Sequence, residues 1–405
     1  MRTAVVVGAG IGGLAAAGAL ARTGWRVTLL ERADRIRSDG TALVLWPNGV
    51  RALTALGLGA GLDAVATPLT ETGVRRPNGQ WLVQPRSAPP ERTPVVVHRE
   101  DLYDALMAGL GEQVEIRTGV CARGLRPTSA DQSADRPAVV TDRGAVDGDL
   151  VIAADGVRST LRPALAPASA VISSGCAAWR AVIPWYRAPQ LPADRPVSGD
   201  VLGAGYRFVS ASLGERGSAG ASSRGGIYWV ATAAGASRPE PPTTQLTLLR
   251  RWFADWPSPV GELLAATEPD DLVQQEVREL RPLPQAYGFV AGPGGVALLG
   301  DAAHAMPHHL GQGACLAFED AATLCALVRD AVPGRQLNAA IEEYGRLRHP
   351  RTVAVVRQTR RMAAVLQARG RLMLRARDAL LDTLSPRLMG SVADTAAQWQ
   401  PPAPR

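Results

Sequence analysis

The hydrophobic pattern changes period three times in the first thirty residues. Thr3 to Val7 is a short, mostly β-branched run without a charged residue, as expected of a strand buried on both faces. Glycines follow at positions 8, 10, 12 and 13. Leu14 to Thr23 is Ala- and Leu-rich and predicts a helix that Gly24 closes, and Arg26 to Leu30 is a second strand ending at Glu31. In this strand, turn, helix, strand order, Gly8 permits the tight turn, Gly10 a close approach of a pyrophosphate, and Gly13 close packing of helix on sheet. The helix N-terminus then faces phosphate, and Glu31 is placed to accept ribose hydroxyls. The stretch predicts an adenine-dinucleotide site and leaves NAD and FAD open.

Further along, the pattern predicts a short strand near Leu45 and a helix from Trp46-Pro47-Asn48 to Leu56. A hairpin about Pro77-Asn78-Gly79, a strand Val95 to His98 and a helix Arg99 to Leu110 follow. Strands are expected at Val114 to Arg117 and Val120 to Leu125, a polar loop over Pro127 to Pro137, and a segment Ala138 to Val146 that turns at Asp142-Arg143-Gly144. Leu150 to Ala154 is an apolar strand running into Asp155-Gly156. From Val171 the texture shifts to alternating strands (Ala177 to Ile183, Tyr206 to Leu213, Ile227 to Thr232) joined by Pro- and Gly-rich loops, a mostly antiparallel sheet. Leu246 to Trp256 is helical and Glu276 to Leu280 leads back. Gly295 to Leu299 then repeats the opening grammar, followed by Gly300-Asp301-Ala302-Ala303-His304, Gly311-Gln312-Gly313 and a helix Ala314 to Val328. After Pro333 the chain is expected to be helical to its end, with breaks at Pro350 and Pro386.

Composition narrows the class. With 405 residues, 46% hydrophobic and 20% charged, the chain can bury a sizeable core, and no apolar run reaches the eighteen residues that would suggest a membrane span. The opening strand leaves no room for a signal peptide, which predicts a cytoplasmic protein. Cys121, Cys176, Cys315 and Cys325 have neither metal nor disulfide spacing. The net charge is +7, and every Lys/Arg position is arginine. Arginines crowd between Arg346 and Arg377, where the expected role is the solvated face of long helices, not a nucleic-acid or membrane surface.

Three groups of residues together resemble a known family. Gly8 to Gly13, Asp155-Gly156, and Gly300-Asp301 with Gly311-Gln312-Gly313 resemble, in order and separation, the fingerprints of single-component FAD-dependent aromatic hydroxylases, the para-hydroxybenzoate hydroxylase class. Trp46-Pro47-Asn48-Gly49, His98 to Leu102 and Trp179-Arg180 look like its salicylate, urate and zeaxanthin-type branch. The resemblance implies an α/β fold: a Rossmann-like FAD-binding domain with an inserted, mostly antiparallel substrate sheet and C-terminal helices. The boundaries expected are 1–170 and 284–345 for the FAD domain, 171–283 for the substrate domain and 346–405 for the helices. It also implies FAD as cofactor, NADPH or NADH as transient reductant, and oxygen transfer from O2 to an aromatic or conjugated small molecule through a flavin C4a-hydroperoxide.

The residues implied for FAD are Gly8, Gly10, Gly12, Gly13, Glu31, Arg32, Arg99, Val120, Asp155, Gly156, Asp301, Gly311, Gly313 and Ala314. Asp301 would accept from the ribityl chain, and the amides after Gly311 would face the pyrimidine edge of reduced flavin. Arg207 and Tyr228 stand where the urate-hydroxylating branch has an arginine and a tyrosine, so both are candidate catalytic residues. His308 is the third; relatives usually carry proline there, and a loop histidine facing water is the alternative. Trp46, Trp179, Phe208 and Trp229 could wall a flat pocket, though core packing is the default for such aromatics. No metal, nucleic-acid or stable membrane partner is expected, and the chain should be a monomer or homodimer. A halogenase is rejected because the lysine it needs is missing, whereas a fold relative that sequesters its ligand without oxygenating it stays open, as do epoxidation and Baeyer-Villiger outcomes.

Overall fold

The computed structural model describes residues 1–87, 89–126, 135–192, 197–217, 223–235, 238–381 and 398–402. In chain order the elements that frame the site begin with β1 (Thr3–Val7), α1 (Ile11–Arg22), β2 (Arg26–Leu30), α2 (Pro47–Ala55), α3 (Arg99–Ala108) and β3 (Leu150–Ala153). Next come β4 (Ala170–Ile183), β5 (Gly199–Leu202), β6 (Tyr206–Gly214), β7 (Gly226–Ala234) and β8 (Val273–Arg281). They end with β9 (Gly294–Leu298), α4 (Gly313–Val328) and α5 (Arg335–Leu366). The expected break at Pro386 and most of the 127–137 loop lie outside the described residues.

β1 lies between β2 and β3, parallel to both, and β9 adds parallel to β3. This placement explains the unbroken apolar runs, since each strand is covered on both faces. α1 buries every residue from Gly12 to Ala21, which is why it is Ala-rich all round: it packs on the sheet and also against α4 and α3. Because β1, β3 and β9 are parallel neighbours, their carboxyl ends come side by side. A Cβ on Gly12 would lie 2.7 Å from the Leu299 side chain and 3.2 Å from Ala317 of α4, and one on Gly300 would lie 3.3 Å from the same Ala317. The two distant glycine turns therefore converge on one alanine.

The second sheet runs β8-β4-β7-β6-β5, then Glu71–Arg75 and Trp81–Ser87. The last two strands form the hairpin expected from Pro77-Asn78-Gly79, so a piece of the first segment completes the sheet of the middle segment. Val74 and Arg75 pair in parallel with Asp200 and Val201. Cross-strand register fixes what each face carries. Trp179, Phe208 and Trp229 lie on one face, in a core with Leu246, Leu249, Phe253 and Leu263 from two covering helices. Trp179 Nε1 donates to Gln245 at 2.8 Å and Trp229 Nε1 to Thr267 at 2.9 Å. These three aromatics therefore do not wall a pocket; they are core, for the reason alternation gives. Trp46 alone of the four stands elsewhere, half-buried beside Gly311.

Two other expectations are corrected. Pro350 does not end a helix, because α5 runs through it from Arg335 to Leu366. Proline in a helix costs about 3 kcal/mol, but buried Arg348 and Thr352 anchor the chain on either side, the latter bonding the Tyr287 hydroxyl at 2.7 Å. Nor is the arginine-rich stretch simply a solvated face: Arg348 and Arg377 are buried, and Arg360 pairs with Glu279.

Gly8 provides the test of this close packing. Its φ is +101°, and a Cβ there would stand 2.4 Å from the Ala154 carbonyl oxygen. Gly8→Ala should lower stability by about 2–4 kcal/mol; an unchanged denaturant midpoint would refute the contact between these two strand ends.

Candidate active site

The glycine turn divides its work among its members. Gly13 meets the Gly8 carbonyl and Gly12 meets Leu299, so both serve packing, whereas a Cβ on Gly10 would meet no atom within 4 Å. Gly10 faces open space at the helix N-terminus, where unpaired amides and the helix dipole favour an anion. Glu31 closes this turn from the β2 end, its carboxylate accepting from Ala9 N at 2.8 Å and Ala33 N at 2.9 Å. An ionised carboxylate has about four acceptor positions, so two remain for a ligand. Arg32 is exposed, and Val120, buried, donates its amide to the Glu31 carbonyl at 3.0 Å. Arg99 begins α3 and bonds Asp39 at 3.1 Å. At the end of β3, one oxygen of Asp155 accepts from Thr160 N at 2.7 Å while the other is buried without a partner. Gly156 beside it has φ +79° and open space at its Cβ position.

At the end of β9, Asp301 is exposed with no protein partner among the described residues. Gly311 adopts φ +63° and leads through Gln312 into α4, whose first residue, Gly313, again meets nothing at its Cβ position; Ala314 is half-buried. A buried ion cluster holds both turns. Asp320 accepts from Gly300 N at 2.9 Å and from His304 Nε2 at 2.6 Å, and its other oxygen accepts from Arg348 at 2.7 Å. Glu319 accepts from Arg348 and Arg351, each at 2.7 Å, and from the Asn48 amide at 2.6 Å. The same amide donates to Gln312 at 3.0 Å. Burial raises the Glu319 and Asp320 carboxyls, but Arg348 with Arg351 on the first, and His304 with Arg348 on the second, outweigh it and leave both below their ordinary values.

The face of the second sheet opposite the tryptophans looks toward this cradle. Val182, Tyr228 and Ala211 stand in one cross-strand row, Arg180, Val230 and Val209 in the next, and Ala178, Thr232 and Arg207 in the third. Arg207 is bidentate to Asp200 at 2.6–3.0 Å and also donates to the His309 carbonyl at 3.2 Å. Burial works against its charge, but Asp200 more than restores it. Tyr228 is buried, and burial raises its hydroxyl pKa while Arg180 and Arg99 pull the other way. His308 is partly exposed as a residue, but its ring nitrogens do not face water: both are enclosed and without a partner among the described residues. Burial, then His309, Arg180 and Arg207, holds its pKa well below the usual histidine value, so it is neutral at pH 7.

Comparison with known proteins bears on this arrangement. Residues 1–359 match the family model described as FAD binding domain. The chain belongs to that family. Its curated relatives include an FAD-dependent urate hydroxylase of Klebsiella pneumoniae, 33% identical over 88% of each chain. A 3-amino-4-hydroxybenzoate 2-monooxygenase of Streptomyces cremeus is also 33% identical, over 88% of this chain and 86% of that one. A Klebsiella pneumoniae structure with FAD and uric acid aligns with TM-score 0.80 and 28% identity, covering 98% of this chain and 96% of that one. As a member of this FAD-binding family, the chain is an FAD-dependent monooxygenase of the aromatic-hydroxylase type. The cradle fits the cofactor: space at Gly10, Gly156 and Gly313, an unengaged Asp301, and an orphaned oxygen on Asp155.

Sequence reasoning missed Arg180, Asp39 and Asp200 as site residues. Alternation from Trp179, expected in core, would have put Arg180 on the opposite face. No local signal pairs Asp200 with Arg207, and none marks Glu319, Asp320 and Arg348 as one cluster.

His309, buried and accepting from the Gln367 amide at 3.0 Å, yields a pH prediction. Burial, then Arg207, lowers its pKa to about 4 from an ordinary 6.5. The folded state therefore binds fewer protons than the unfolded one between those values, so this contribution is complete above about pH 6.5 and is lost as pH falls toward 4. The total is on the order of 3 kcal/mol. Stability measured at pH 7.5 and 5.0 should fall less in His309→Gln than in wild type; an equal fall would remove His309 from the acid limb.

Proposed function

We propose that the chain holds FAD extended across the carboxyl ends of β1, β3 and β9, and oxygenates a small aromatic or conjugated molecule against the cradle-facing side of the second sheet. The convergence of the Gly12 and Gly300 turns on Ala317 carries this reading, because it puts an anion-favouring helix end and the exposed Asp301 within one continuous cradle. In it, Gly8, Gly10, Gly12 and Gly13 form the turn that receives the pyrophosphate. Glu31 takes ribose hydroxyls on its two remaining acceptor positions, with Arg32 and Val120 beside the adenosine. Arg99, Asp155 and Gly156 stand along the cofactor. Asp301 accepts from the ribityl chain, and Gly311, Gly313 and Ala314 set backbone amides against the pyrimidine edge.

Bound there, FAD supplies the redox chemistry, transient reduction by NADH or NADPH followed by transfer of one oxygen atom from O2. The chain's own contribution is positioning and enclosure. Tyr228 offers to a substrate a hydroxyl that has no protein partner among the described residues. Arg207, locked to Asp200 and to the His309 carbonyl, braces β6 and β5 against the flavin-side loop. His308, neutral, closes the pocket wall, and a bound group that bonded its orphaned nitrogens would relieve about 1–3 kcal/mol of unmet hydrogen bonding. Among the described residues no helix is long and apolar enough to cross a membrane. The four cysteines are free thiols, which accords with a reducing cytoplasmic compartment.

The purified protein should carry FAD and should consume NADH or NADPH faster when a suitable phenol, indole or polyketide-like aromatic is added, with product formed in proportion. Ligand binding that never stimulates turnover would instead indicate sequestration. Two substitutions test the cradle. Gly10→Ala has room within the protein and should leave apoprotein stability unchanged, while both it and Asp301→Ala weaken FAD binding by about 10–100-fold. Full flavin occupancy in Asp301→Ala would remove that residue from the site.

A further inference from the structure

The adjacent imidazoles of His308 and His309 lie on the short turn His308–Leu310, between Pro307 and Gly311, with ring centroids 4.8 Å apart, yet the chain treats them differently. His309 is tied in: its Nε2 pairs with the Gln367 amide at 3.0 Å, and its carbonyl accepts from Arg207 at 3.2 Å. The ring of His308 has no such tie. Both of its nitrogens are enclosed, and neither has a partner among the described residues. An enclosed polar atom left unpaired costs free energy, so two on one ring call for a group that the chain itself does not supply. His308 borders the second sheet, since the charges acting on it from outside its own turn are those of Arg180 and Arg207. Those guanidiniums are donors only, and the carboxylates near them are taken, Asp200 by Arg207 and Asp39 by Arg99. Arg180 itself donates to the side-chain oxygen of Gln275 at 2.6 Å.

A neutral imidazole carries one N–H donor and one lone-pair acceptor, on nitrogens that point away from each other, so no single substituent meets both. We infer that His308 is a specificity-determining residue that hydrogen-bonds a hydroxyl or N–H substituent of the aromatic substrate, and that it does so without taking the proton. The inference rests on the FAD monooxygenase reading and deepens it by naming what the pocket reads on its substrate. With the two carboxylates engaged, the lone pair of His308 and the oxygen of Tyr228 are acceptors that the protein leaves unused. A substrate O–H or N–H fills the one on His308, whereas a methyl ether or an unsubstituted ring leaves it unpaired. Proton uptake is opposed by the same surroundings, because burial, then His309, Arg180 and Arg207, all favour the neutral ring. His308 therefore orients the substituent and is not the base that removes its proton.

The test uses the FAD-loaded enzyme and uncharged probes: 2-naphthol against naphthalene and 2-methoxynaphthalene, and indole against 1-methylindole. Binding at pH 7 is followed by the change in the visible flavin spectrum. In wild type at least one donor probe, 2-naphthol or indole, should bind about tenfold more tightly than its counterparts. His308→Phe should abolish that preference by weakening the donor probe, leave the counterparts within about twofold, and retain FAD. Of His308→Asn, which mimics Nδ1, and His308→Gln, which mimics Nε2, at least one should keep part of the preference, since an amide donates and accepts hydrogen bonds without taking up a proton. Donor probes that bind no better than their counterparts in wild type, including the case in which nothing binds, overturn the inference. So does a preference that survives in His308→Phe, and so does a loss in that variant shared equally by the counterparts. Asn and Gln variants that both match His308→Phe would mark His308 as a base, and loss of FAD from His308→Phe would make it part of the cofactor cradle; either result overturns the inference. Failure of the broader reading is separately visible, as wild-type protein that purifies without FAD or never couples NAD(P)H oxidation to a product.

Discussion

The arrangement depends on one buried guanidinium. Arg348, 1% exposed, reaches from the middle of α5 to both Glu319 and Asp320 on α4. Taking these charges out of water is expensive, and their mutual attraction offsets that cost only while every partner is present. Here each carboxylate also has a second task. Asp320 fixes the amide of Gly300, which sets Asp301 at the end of β9. Glu319 fixes Asn48, which in turn holds Gln312 ahead of the α4 N-terminus. A single cluster thus sets the positions of the turns at Gly300 and Gly311 relative to each other. It also accounts for α5 continuing through Pro350, since the helix is anchored two residues before that proline.

Around this anchor, strand alternation separates two kinds of chemistry. One face of the large sheet takes the indoles and phenyl rings and buries them under helices, where dispersion and area stabilise the lobe. The other face presents Arg180, Arg207 and Tyr228 to the cradle. Adjacent residues such as Tyr228 and Trp229 have opposite fates for no reason but the two-residue period of a strand. Positive charge is then distributed unevenly on the polar face, with Asp200 compensating Arg207 and only an amide meeting Arg180. Neutral His308 and His309 border this region without adding charge, because burial and the neighbouring arginines oppose their protonation.

Much of this was legible in the chain itself where a short stretch carries its own reason. The β1-turn-α1 unit could be read because positive φ at Gly8, open space at Gly10 and close contact at Gly13 are local demands that only glycine meets without strain. The parallel order of buried strands followed from their unbroken apolar runs, and the antiparallel sheet from its alternation. The hairpin at residues 71–87 was visible as a hairpin, but nothing in its sequence says that it finishes a sheet built from the middle segment by pairing with Asp200 and Val201.

What only the tertiary structure decided concerns partners distant in sequence. Arg207 and Arg180 are chemically identical, and the carboxylate that silences one comes from a neighbouring strand through register, not through spacing. Arg348 looks like any other arginine in a basic helix until α4 is brought against it. The period of a segment reports which way a side chain points, because backbone geometry is local. Whether its charge is cancelled, shared or left for a ligand depends on which other segment folds onto it, and that is set by the packing of the whole chain.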